Sequence, residues 1–410
     1  MKKKLLALAL IPLFALTGCK DDKVNLDDFI NELQPGKLPE NAEQLEASQV
    51  YEDLQNQETP LCDAISVEVK GLHASMSDTV TKNGVTTIQK LGINNANAYF
   101  AVKGLTSATN GSELETAAKF NASFEVKGFE GTETEATQHL LDGKTLEMAE
   151  YIKDSNMYLY FNEEFDNIVG QDIPNKMYQE IPFDQLVENG ELSFPILTEE
   201  SLALFVEEFL EELQGSTSTD LPTDLPTELP DDLPLTETEM LNFSIELMDI
   251  YFDFSKVDST YFISFSINSS NLVEKLNSTL DLVYEYGLLE YYVGEQISNS
   301  YYEQYKESLK FSFMMLSSMF KDVSFSVAYD PSVGLRKLVY NLDLEVPVYE
   351  ATPTSSTIYE EYINIKSGAT VEFKYGSDVV ISYPDFSDYT YVDEDFEIGL
   401  PGQAKPDTAE

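Results

Sequence analysis

The chain has no tryptophan, one arginine (Arg336), two histidines and two cysteines in 410 residues. Each shortage closes off a class of chemistry. A single guanidinium leaves almost no means of gripping phosphate or carboxylate through a planar fork. His73 and His139 fall in separate stretches that both read as strand, so neither a histidine metal centre nor a Ser-His-acid triad is assembled. Basic residues are scarce as well: 25 Lys and Arg stand against 73 Asp and Glu, a net charge of -48. Nucleic acid and anionic lipid surfaces both require a basic face, and this composition repels them. There is no G-x-x-x-x-G-K and no G-x-G-x-x-G, and with so many acids any two carboxylates lie close by chance, so a glycosidase-like pair carries no information. No cofactor, metal or catalytic residue is expected. Asp385, Asp388, Asp393 and Asp395 crowd together near the end, but they lack the glycine of a calcium loop and read as a solvated acidic stretch.

What is present begins at the first residue. Lys2, Lys3 and Lys4 precede an uncharged apolar run from Leu5 to Leu16, the layout of a secretory signal and too short to span a bilayer. Leu16-Thr17-Gly18-Cys19 resembles the lipobox of bacterial lipoproteins, in which the cysteine is acylated and the chain is cut just before it. The resemblance implies a signal peptide over residues 1–18, lipidation of Cys19 and a protein held on the extracytoplasmic face of the cell membrane. Each buried methylene contributes roughly 0.8 kcal/mol, so two or three acyl chains suffice as an anchor. Removing the three lysines takes the net charge from -48 to -51. With Cys19 lipidated, Cys62 has no partner within the chain and reads as a small buried residue.

Residues 19–60 are rich in Asp, Glu, Asn and Gln and read as a tether with one short helix near Leu26–Leu33. From 61 to 400 runs the body. Its first part alternates apolar and polar residues between turn dipeptides at Asn83-Gly84, Asn110-Gly111, Glu130-Gly131 and Asp142-Gly143, the signature of an antiparallel meander. Leu202, Phe205, Phe209 and Leu213 recur at helical spacing after Glu199. Within the acidic loop of 215–238, Leu-Pro repeats at Pro222, Pro226, Pro230 and Pro234, which excludes helix there. Helices are expected over 239–251, 272–289 and 301–320, strands over 260–267, 323–329, 335–346, 369–374 and 379–383, and a disordered tail over 401–410.

Strands, then helices in the middle, then strands, together with the hairpin FSVAYDPSVGLRKLVYNLDLEV at 325–346, resemble the lipoprotein-carrier group, the LolA/LppX-like proteins. The resemblance implies an α+β fold in which a curved antiparallel β-sheet, a half-barrel, is closed on its open face by helices from the middle of the chain over an apolar cavity. Tyr284, Tyr291, Tyr292, Tyr305, Phe313 and Met315, on the expected central helices, are the residues that would line or lid such a cavity. Two readings follow. One is a membrane-anchored, non-enzymatic binder of an apolar ligand such as a lipid acyl chain. The other is an interaction lipoprotein with a filled core and no small-molecule ligand, which meets protein partners through its acidic exterior or the Leu-Pro loop.

Overall fold

The structure, a computed structural model, describes residues 26–55, 61–82, 84–132, 134–164, 174–190, 192–198, 235–294, 296–348 and 359–392. The fold is α+β, with open sheets that are antiparallel except at one edge. The chain divides into two compact units, the first from residues 1–61 and 197–346 and the second from 62–196 and 347–410. In sequence the two units interleave.

In the first unit five strands pair antiparallel in the order β1 (Glu43–Leu45), β8 (Phe252–Val257), β9 (Thr260–Ile267), β10 (Phe320–Asp330) and β11 (Gly334–Pro347). Opposed residues of antiparallel strands share a face. One face therefore carries the row Phe252, Phe265, Phe325 and Tyr340. The Phe252–Phe265, Phe265–Phe325 and Phe252–Phe325 ring centroids are 5.4, 5.2 and 6.0 Å apart, so the rings fill the space beside one another. Helix α5 (Glu237–Tyr251) packs on β8 and β9. Its first turn is closed by a reciprocal capping box between Thr236 and Glu239. α6 (Leu272–Glu285) packs on α5, and α7 (Leu288–Val293) and α8 (Asn299–Met319) pack on α6. Asp281 of α6 receives Lys306 Nζ at 2.6 Å and Tyr302 Oη at 2.5 Å, both from α8.

The opposite face of this sheet is lined by Phe262, Ala328 and small serines, and the N-terminal segment covers it. Ile30 and Leu33, from helix α1 (Leu26–Asn31) and just beyond, pack in one cluster with Phe262, Ala328 and Val339. Gly36 lies so close that a Cβ there would come within 2.9 Å of Ser324 Cβ, and its φ of +67° is one that side chains resist. Lys37 N donates to Ser326 Oγ at 3.1 Å and Ser326 Oγ donates back to Lys37 O at 3.2 Å. Buried Lys337 donates to Asn31 O, satisfying a carbonyl at the end of α1. Further along, α2 (Ala47–Leu54) buries Ala47 and Val50. The stretch expected as a tether is therefore, over 26–55, part of the packed first unit. Its polar composition hid this because the buried apolar side chains that dock it, Ile30, Leu33, Ala47 and Val50, are few.

The second unit orders its strands β12 (Tyr359–Tyr375), β2 (Ala64–Lys82), β3 (Val85–Lys103), β4 (Glu115–Lys127), β5 (Thr145–Lys153), β6 (Asn156–Phe161) and β7 (Lys176–Glu180), with β13 (Thr390–Tyr391) parallel to β7 at the edge. β2 and β3 form a hairpin in which Lys82 pairs with Val85 and Gly84 takes φ +79°. Two expectations are corrected here. Residues 379–383 form no strand: they run without a ladder across the sheet, held by buried Val379 against Ala64 and Ala101 and by Tyr99 Oη donating to Val380 O at 2.8 Å. His139 sits not in a strand but in helix α3 (Glu135–Leu141), 3.5 Å from Glu135. A further short helix, α4 (Phe183–Glu188), buries Phe183. The helix expected after Glu199 and most of the Leu-Pro loop lie outside the described residues. No described helix is long and apolar enough to cross a membrane.

Candidate functional site

The second unit has two unlike faces, and both follow from strand alternation. Register brings Val371, Val69, Ala98, Phe120, Met148 and Phe161 into one row across six strands, every member apolar. At about 4.8 Å between strands this row is about 24 Å long. The neighbouring row begins Phe373, Val67, Phe100 and Ala118, and further along the long strands lie Ile365, Met76, Leu91 and Val126. Towards β6 and β7 the face is sealed, with Phe161 and Met177 buried. Elsewhere it is not: Met76 is 54% exposed, Phe100 48%, Leu91 44% and Met148 40%. Four large apolar side chains left half in water on one sheet face are a surface that gains from a cover, each worth about 1.5–3 kcal/mol if fully buried. Asp78, two residues beyond Met76 on the same face, marks its polar limit. Burial, reinforced by nearby Glu361, raises the Asp78 carboxyl above its ordinary value, and its Oδ1 makes no hydrogen bond among the described residues.

The other face is polar. One row reads Glu68, Tyr99, Lys119, Ala149, Tyr160 and Lys176, and beside it Asn97, Asn121 and Glu147 lie opposite one another, with Asn162 next to Glu147. Across one end of this face lies the segment from Val379 to Tyr391, whose Phe386 ring stacks on Tyr158 at 3.7 Å and meets Tyr151 edge-on at 5.7 Å. Burial raises the Tyr383 hydroxyl beneath this layer well above its usual range and pushes Tyr389 up to about 12. Two concave sites open on this face. The larger, about 720 Å³, is lined by Glu147, Tyr160, Asn162, Asn175, Lys176 and Asp388 among others. The smaller, about 360 Å³, includes Ser66, Glu68, Tyr99, Lys119 and Lys374. Near the far end, Glu125 accepts from Lys90, Lys127 and Asn94, and these bonds, that from Lys90 foremost, hold its carboxyl down to about 2.

The six residues named from the sequence are spread over three helices of the first unit and line neither concave site. Tyr284 stacks on Tyr302 at 4.1 Å and donates to Asn299 Oδ1 at 2.6 Å. Tyr291 and Tyr292 meet edge-on at 5.7 Å, with Tyr292 exposed. Tyr305 and Met315 are on the exposed side of α8, while Phe313 is half-buried. The beginning of the apolar face was legible, since Val67, Val69, Ala98 and Phe120 sit in stretches that alternate; what sequence reasoning missed was Met76, Leu91, Phe100 and Met148, because only strand pairing shows them to be neighbours. Among the described residues no group of His, Cys, Asp or Glu is arranged to hold a metal ion. Cys62 is buried, as expected, with Sγ 3.2 Å from Ala64 O. Cys19 lies outside the described residues.

No protein-family model matches the chain, and no curated protein matches it either. Its function is therefore argued from the two faces of the second unit.

Proposed function

We propose that this chain is an exported lipoprotein, anchored by lipid on Cys19 at the extracytoplasmic face of the cell membrane, that binds an apolar ligand such as an acyl chain without chemically changing it. The observation that carries this reading is the apolar face of the second unit, continuous across six strands and half-exposed at Met76, Leu91, Phe100 and Met148. An acyl chain needs no directional partner, only apolar area removed from water, at roughly 25 cal/mol per Å². The first unit supports a different role. The rings between its sheet and α5 already fill one another's space, so we assign the ligand to the second unit and structural support to the first. The anchor fits a short lead: seven residues from Cys19 to Leu26 span at most about 25 Å, which keeps the body near the lipid surface.

A second reading, an interaction lipoprotein without a small-molecule ligand, draws on that filled aromatic interior. Native mass spectrometry with extraction of co-purifying lipid, followed by uptake of a fluorescent fatty acid, separates the two. Stoichiometric lipid, with uptake abolished in Phe100→Asp and Met148→Asp, supports the binder. A protein that carries nothing and takes up no probe supports the interaction protein.

A further inference from the structure

We infer that the C-terminal half of α8 is a membrane-contacting surface, which seats the first unit on a bilayer of zwitterionic lipid. Phe311 is 68% exposed, Met314 53%, Met315 43% and Leu316 40%. Phe311, Met314 and Met315 stand three and four residues apart, so they share one side of the helix. The other side is turned inward, with Tyr302 and Ser317 buried. Nearby hydroxyls are already satisfied: Ser317 Oγ donates to Met314 O at 2.9 Å and Ser318 Oγ to Met315 O at 2.7 Å. Hydroxyls folded back onto helix carbonyls tolerate surroundings poor in water.

Charge and the lead to the anchor choose the occupant. Between Glu307 and Asp322 there is no acid, in a chain with 73. The two lysines bracketing the apolar residues are each paired, Lys310 with Glu307 at 3.5 Å and Lys321 with Glu345 at 3.0 Å. The surface is therefore close to neutral, which suits zwitterionic headgroups and gives no pull towards anionic ones. The inference rests on the Cys19 anchor proposed above. Cys19 lies seven residues before Leu26, at most about 25 Å, and Leu26 packs in the first unit, to which α8 also belongs. α8 leads into β10 at Phe320, four residues or about 13 Å along the strand from Ser324, against which Gly36 lies. The lipid on Cys19 thus brings the bilayer to the unit that carries this surface. A helix is convex: it cannot enclose a single acyl chain, but it can lie along a bilayer with its apolar side down, as interfacial helices do.

The chain lacks tryptophan, so Phe311→Trp, at an exposed position, provides a single reporter. The full-length variant, purified from membranes, is floated with phosphatidylcholine vesicles with and without bromine on the acyl chains; flotation itself reads the anchor. The proposal predicts emission shifted to the blue and quenched about twofold by brominated lipid, while Val380→Trp, exposed in the second unit, is unquenched. Protein that floats with the reporter at 311 unquenched overturns the α8 contact and leaves the anchor standing. Protein that neither floats nor shows quenching overturns both. Equal quenching at 311 and 380 overturns the assignment to α8. So does a blue shift at 311 that grows with protein concentration in the absence of vesicles, which would give the surface to a second copy of the chain.

Discussion

The two units are built on the same element, an open antiparallel sheet, and finish it in opposite ways. In the first, the stretch around Ile30, Leu33 and Gly36 covers one side of the sheet, so that Phe262, Ser264 and Ser326 are almost wholly inaccessible, while α2 packs on α5 and ties Asp53 to Lys256 and Tyr261 of the other side. In the second, longer strands present a polar face crossed by the C-terminal segment and an apolar face with four large side chains half in water. A sheet covered on both sides spends its apolar surface on its own stability. One that keeps an apolar face partly open keeps that surface for something else.

Substitutions sharpen this contrast. Phe262→Ala, at a position with no accessible surface, is expected to cost about 3–5 kcal/mol, read by chemical denaturation. Gly36→Ala is next, at roughly 2–4 kcal/mol, since it combines a positive φ with a contact of 2.9 Å to Ser324. If the N-terminal segment were a passive tether, this change would have no effect on the midpoint. Phe100→Ser, by contrast, should shift stability by about 1 kcal/mol or less while removing fatty-acid uptake. An equal loss of stability at positions 100 and 262 would erase the distinction between the units.

Cysteine chemistry provides a sharper alternative. With two cysteines in the chain, a lipidated Cys19 and an intramolecular disulfide exclude each other. Protein extracted from membranes should therefore carry the mass of the acyl chains on a peptide that begins at Cys19; a Cys19 without added mass would contradict the anchor. The smallest effect is one of pH. The Glu125 carboxyl is held down to about 2, below its ordinary value of 4.5. Its bonds to Lys90, Lys127 and Asn94 therefore support the second unit fully above about pH 4.5 and are lost as pH falls towards 2. Carbon-detected NMR titration should find that low value, and Lys90→Ala should raise it.

Much of this was legible before the structure. The α+β class follows from alternating runs around helical ones, and helices over 237–251 and 299–319 and strands over 260–267 and 334–347 fall close to where periodicity places them. The failures have physical causes. The N-terminal segment looked like a tether because its docking rests on a few apolar residues and on Gly36, whose role depends on a serine-lined face far away in sequence. Residues 379–383 alternate as a strand does, yet their side chains are used to lie across a sheet rather than to extend it. The proposed face lies apart from the six residues named from the sequence for a related reason. Tyrosine abundance drew attention to the central helices, where Tyr284 and Tyr302 in fact stack on each other, whereas the half-exposed face depends on which strands are neighbours.

The most direct test of the central claim is to load the full chain with a fluorescent fatty acid and compare wild type with Phe100→Asp, Met148→Asp and, as a control in the first unit, Met315→Asp. The account predicts one saturable site in the wild type, its loss in the first two variants and its retention in the third. Uptake that survives at 100 and 148 but disappears at 315 would put the ligand among the helices and contradict the account.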